Sequence, residues 1–130
     1  MAIAFVCGPY FDRELPDGSF LKKEDNVWMA RHVAIELWKR DIAVICPHLN
    51  TQDFETEVSD DSIFVRGYLE IIRRIIDLMI LLPNWQFSAN SCREREEALR
   101  FKIPVYNDLD DFLRSREEKP SGTLVPDKEI

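Results

Sequence analysis

Five consecutive residues, Leu78 to Leu82, are apolar without a polar interruption, and this run restricts the chain to few architectures. A strand bordering water on one face alternates apolar and polar side chains. An unbroken run marks a strand covered on both faces, as in a parallel sheet flanked by helices. Ala2 to Cys7, Ile42 to Cys46 and Ile103 to Tyr106 repeat the pattern, the last with Pro104, which suits an edge position.

The stretches between these runs have helical spacing. Asn26 is placed to cap a helix whose Val27, Ala30, Ala34 and Leu37 form one stripe. Ser62 to Ile76 is a further helix with an apolar arc wider than one packing face needs, from Phe64, Tyr68, Leu69, Ile71, Ile72, Ile75 and Ile76. That surplus predicts a second buried face and hence a homo-oligomer, a dimer or tetramer. Glu94, Ala98 and Phe101 mark the next helix, and Leu109 to Glu117 a short last one. Trp28 and Trp38 are assigned to packing or an interface. Alternating strands and helices predict a doubly wound α/β fold, Rossmann-like or flavodoxin-like, with four to five mainly parallel strands and helices on both faces. Leu78 to Leu82 belongs at its centre.

At 130 residues the chain fits one domain, over 1–118, with 119–130 as a Pro- and Gly-bearing tail that is disordered or packed on a neighbouring subunit. A net charge of −7 argues against a nucleic acid polymer as partner, since that binding uses Lys and Arg to neutralise phosphates. One small anion can still sit at a helix start. The N-terminal apolar run is too short for a signal peptide and nothing reaches the length of a membrane span, so no membrane and a cytoplasmic location are expected. Cys7, Cys46 and Cys92 are odd in number and lack CxxC spacing, which predicts reduced thiols, no metal and no cofactor.

In an open parallel sheet, ligands bind beyond the carboxyl ends of the strands. Three segments converge there: Gly8-Pro9-Tyr10-Phe11, Pro47-His48-Leu49-Asn50-Thr51, and Asn84 to Glu94. Tyr10 and His48 suit stacking on, or hydrogen bonding to, a ring or sugar. Asn50 binds a ligand or forms a turn, and Trp85 walls the pocket or anchors on the core. The loops Asp12 to Asp25 and Thr51 to Asp61 lie over the same end. Glu94 has two readings. Ser91-Cys92-Arg93-Glu94 matches S-x-x-E, a capping box in which the glutamate bonds back to the helix start. Alternatively, a carboxylate in the first turn faces the crevice, ionised with help from the helix dipole.

GPYF after the first strand, CPHLNT after the second, and LLPNW with Ser88 six residues before Glu94 resemble the nucleoside 2-deoxyribosyltransferase superfamily. The likeness is strongest to its small DUF4406-type branch and runs over roughly Ile3 to Tyr106. It implies cleavage or transfer at the N-glycosidic bond of a nucleoside or nucleoside 5′-monophosphate. Glu94 would attack the anomeric carbon to give a covalent sugar intermediate. It also implies that Ser88 helps bind a 5′-phosphate, with Asn90 shaping the turn where relatives have glycine. The family's proton-donating aspartate aligns near Tyr68 or Leu69, which are not acids, leaving Asp61, Glu70 and Asp77 as candidates. The alternative is a non-catalytic nucleotide-binding or oligomeric accessory module of the same fold.

Overall fold

The computed structural model describes residues 1–117, and the tail expected over 119–130 lies outside them. Four strands, β1 (Ile3–Cys7), β4 (Ala43–Ile45), β5 (Leu78–Leu81) and β6 (Val105–Tyr106), form one sheet in the order β4-β1-β5-β6, with every pair parallel. The expected central position of β5 and edge position of β6 both hold. Each unbroken apolar run is explained by its two faces. Ala4, Val6, Leu78 and Ile80 pack with Ala30, Ala34 and Leu37 of helix α1 (Lys23–Trp38) and Phe112 of α5 (Leu109–Glu117). Phe5, Cys7, Met79 and Leu81 pack with Tyr68 and Ile72 of α3 (Ser62–Ile75) and Ala98 of α4 (Ala89–Arg100). Truncating Ile72, which has no exposed surface, to alanine would cost about 2–5 kcal/mol.

The chain leaves β1 for β4 on one side and returns past β1 to β5 on the other, so the connections diverge between β1 and β5. This switch point is where an open α/β sheet opens a crevice. A Cβ on Gly8 would lie 2.5 Å from the Leu82 Cβ. Glycine thus lets the chain leave β1 tightly against the end of β5, and that approach sets the crevice floor.

Several local expectations are corrected. Asn26 does not cap α1, which begins at Lys23; the cap comes from a distance, with Asp12 Oδ1 accepting the Lys23 N–H at 2.7 Å. Asn26 is instead buried and donates to the carbonyl of Tyr10 at 3.1 Å. The segment 12–25, read as a loop, contains the antiparallel hairpin of β2 (Arg13–Glu14) and β3 (Phe20–Leu21) before α1 starts. Trp28 and Trp38 are more than half exposed, with Trp28 stacked on His32 at 5.7 Å, so neither packs in the core. Asp77 tethers the opposite end of the sheet, its Oδ2 accepting the Ile3 N–H at 2.8 Å. On α3 the wide arc divides: Val65, Tyr68 and Ile72 are buried, while Ile75 and Ile63 remain about half exposed. Among the described residues no helix is long and apolar enough to cross a membrane.

Candidate active site

At the switch point the strand ends enclose a cavity of about 300 Å³, within the range of small-molecule sites. Gly8, Pro9 and Tyr10 follow β1. His48 comes from the short helix α2 (Pro47–Asn50), Phe64 and Tyr68 from α3, and Ser88, Asn90 and Glu94 from the start of α4. All three segments expected to converge do so.

Glu94 is the decisive group. The capping-box reading fails because α4 starts three residues earlier than it requires: Ser88 is the N-cap, its Oγ accepting the Ser91 N–H at 3.2 Å. Glu94 is therefore the sixth residue of the helix and turns inward, with only 7% of its surface exposed. Its Oε1 lies 3.5 Å from the Cys7 thiol, which also reaches the Ser91 carbonyl at 3.4 Å. Among the described residues it forms no ion pair. Beyond the first turn a helix dipole contributes less than its usual 0.3–1 kcal/mol, so burial dominates. Desolvation, only partly offset by the Cys7 hydrogen bond, raises the Glu94 carboxyl to about 7. The Cys7 thiol is pushed well up by burial first and by Glu94 second, so it remains an S–H donor.

His48 is 3% exposed, and its Nε2 lies 2.8 Å from the Pro9 carbonyl. A carbonyl only accepts, so Nε2 carries the hydrogen and Nδ1 is the lone-pair nitrogen. Burial lowers the pKa, against a smaller opposing effect of the Pro9 and Gly8 carbonyls, and keeps the ring neutral. His48 fixes the loop after β1, and Tyr10 packs edge-on to it at 5.9 Å. The Tyr10 hydroxyl donates to Glu55 at 3.2 Å and accepts the Asp53 N–H at 2.9 Å. Lys23 joins the same cluster, with Nζ 2.7 Å from Asp53 and 3.2 Å from Glu55.

Other expected residues stand elsewhere. Asn50 lies behind the wall, its amide donating to the Tyr68 hydroxyl at 3.1 Å, and Thr51 Oγ1 is 2.9 Å from the same hydroxyl. Asn50 thus orients Tyr68. Trp85 packs on the core beneath α3 and α4, with the Arg95 guanidinium 4.8 Å from its ring centroid; it does not line the cavity. Asn90 is helical, and the left-handed turn residue is Asn84, with φ of 67° at the start of a 3₁₀ turn. Of the three candidate acids only Asp61 lines the cavity. Glu70 is on the solvent side of α3, bonded to Arg73 and Arg74, and Asp77 is at the far end of the sheet. Glu97 of α4 is buried and pairs with Arg73.

Glu55, Asp12, Cys7 and Ser91 were not legible as site residues. Ser91 Oγ is buried without a partner. Glu55 sits in a polar loop where nothing in the local sequence distinguishes it. Among the described residues, no group of three or more His, Cys, Asp or Glu is arranged to hold a metal ion. Neither a family model, a curated protein nor a solved structure matches the chain.

Proposed function

We propose that this protein cleaves or transfers the glycosyl group of a nucleoside or nucleoside 5′-monophosphate, with Glu94 as nucleophile, as in the nucleoside 2-deoxyribosyltransferase superfamily that its motifs resemble. The observation that carries the reading is Glu94 itself: a carboxylate with no cationic partner among the described residues, almost wholly desolvated, at the switch point of an α/β sheet. Nothing in the fold requires a carboxylate there, since α4 is capped by Ser88.

Ionised Glu94 attacks the anomeric carbon, the bond to the base breaks, and a glycosyl ester forms. A second base, or water, then attacks from the face that the first base left and displaces the glutamate, so configuration is retained overall. Desolvation sharpens a carboxylate nucleophile by removing the water that would otherwise shield it. Tyr10, Phe64 and Tyr68 provide apolar walls for a base or sugar, and Cys7 holds one oxygen of Glu94.

The test is incubation with ribo- and deoxyribonucleosides and their 5′-monophosphates, with and without an acceptor base, followed by chromatography. Release or exchange of base that depends on Glu94 is expected; binding across the panel without turnover would favour an accessory module instead.

We further propose a homo-oligomer, supported by the half-exposed apolar residues Ile63 and Ile75 on α3, Leu99 on α4 and Phe101 just after it. Light scattering at micromolar concentration is expected to give a dimer or tetramer, and a monomer would contradict it.

A further inference from the structure

The cavity walls combine two properties that point to the charge of the ligand. Among the described residues, the charged side chains lining it are the acids Asp12, Glu55, Asp61 and Glu94 against one cation, Arg13, with Lys23 paired to Glu55. Four aromatic rings, Tyr10, Phe11, Phe64 and Tyr68, line the same space, and the faces of such rings attract cations; the Tyr10 ring already holds the Lys23 ammonium 5.5 Å from its centroid, which leaves Phe11, Phe64 and Tyr68 for a ligand. Glu94 is more than nine-tenths buried, and among the described residues its side chain is met by the weak Cys7 thiol on Oε1, which leaves Oε2 for a ligand.

The phenol hydroxyls that would protonate a departing base are also committed, and the alkyl hydroxyls of Ser88 and Ser91 in the lining are too weakly acidic for it. The Tyr10 hydroxyl hydrogen goes to Glu55, both Glu55 oxygens accept from Tyr10 and Oε2 also from Lys23, and Tyr68 is tied to Asn50 and Thr51. Asp61 sits exposed at the rim. An ordinary purine or pyrimidine needs a proton, or equivalent stabilisation, as it leaves. A base that is already a cation does not.

Resting on the glycosyl-transfer reading above, we infer that the preferred substrate is an N-glycoside of a cationic base, such as a pyridinium or an N7-alkylated purine nucleoside. The reaction balances without an acid. Glu94 forms a C–O bond at the anomeric carbon, the C–N bond breaks, and its electron pair neutralises the ring, so the base departs uncharged. Water then attacks the anomeric carbon, the C–O bond to Glu94 breaks, and the surplus proton passes to solvent. The acids stabilise the incoming cation, and the same charges disfavour a 5′-phosphate.

Two matched comparisons test this on the full-length chain. Binding of 1-methylnicotinamide, a cation with no bond to cleave, is measured against neutral nicotinamide at pH 8 and low salt. The cation is expected to bind about tenfold tighter, and Glu55→Gln to reduce that advantage over nicotinamide about fivefold. In parallel, base release from 7-methylguanosine and nicotinamide riboside is compared with release from guanosine at pH 6, where 7-methylguanosine keeps its N1 proton and its net positive charge. Faster, Glu94-dependent release from the cationic pair is expected. Equal binding of the two nicotinamides, or guanosine cleaved as fast as 7-methylguanosine, overturns the inference and leaves the glycosyl-transfer reading intact. Preferential binding of the cation with no cleavage of any nucleoside overturns the glycosyl-transfer reading itself, and the substrate assignment with it. Unfolding of Glu55→Gln is excluded by its circular dichroism, and the wild-type comparisons stand without that variant.

Discussion

Glu94→Gln is expected to abolish base release and, at pH 8, to make the protein more stable than the wild type. The first effect follows from removing the attacking atom, which should cost about a thousandfold or more. The second follows from burial. The Glu94 carboxyl is raised from its ordinary 4.5 to about 7 in the folded protein, so the fold favours the protonated form. Between those values the folded state binds more protons than the unfolded state, and stability falls as pH rises. The penalty is absent well below pH 4.5 and complete above pH 7, at about 3 kcal/mol for a shift of this size. Glutamine has the same shape and never ionises. For a domain of this length the gain corresponds to roughly 10 °C in thermal midpoint at pH 8, and it should shrink to a small fraction by pH 5. A residue that serves only packing would lose stability on substitution, at every pH. Calorimetric scans of both proteins at the two pH values separate these outcomes.

The pH dependence of the reaction carries the second large effect. A nucleophile must be ionised, so kcat/KM is expected to climb about tenfold per pH unit below pH 7 and level off above it, leaving activity at pH 5 about a hundredfold below the plateau. If Glu94 instead donated a proton to the base, the slope would reverse and activity would fall through the same region. With a cationic base no second group needs to stay protonated, so the profile should lack the falling limb that completes a bell. Steady-state rates between pH 5 and 9 on nicotinamide riboside, whose pyridinium charge does not titrate, distinguish the three shapes. Cys7→Ala should move the midpoint upward, because it removes the hydrogen bond that favours the ionised form. A thiol that merely fills the core would leave that midpoint in place.

The sheet was legible because its signal is redundant. Four apolar runs each predicted a strand covered on both faces, and the alternate residues of β1 and β5 do face two separate clusters, one under α1 and α5 and the other under α3 and α4. Helix starts were less legible, because several residue types can cap and the choice is made by tertiary contacts. Asp12 caps α1 from eleven residues away, which left Asn26 free to brace the loop after β1. The S-x-x-E pattern pointed to Ser91 as the cap of α4, although the hydroxyl of Ser88 suits that role equally. The fold uses Ser88, and that three-residue difference turns Glu94 from a capping side chain into a buried acid. Side chains on different helices were not legible at all: Glu97 is buried because Arg73 of α3 meets it across the α3–α4 contact. The same holds for Glu55, whose place at the cavity depends on Tyr10 and Lys23, each more than thirty residues distant.

The most direct test of Glu94 as a nucleophile is to trap the sugar on it. A nucleoside carrying fluorine at the 2′ position destabilises the developing positive charge and slows both steps, the second enough for the ester to accumulate when the base is a good leaving group. After incubation with 2′-fluorinated nicotinamide riboside, intact mass spectrometry is expected to show one added fluoropentosyl unit per chain. Peptide mapping should place it on Glu94, with one equivalent of nicotinamide released, and Glu94→Gln should take up none. Steady release of nicotinamide with no adduct, or an adduct on any other residue, would contradict it.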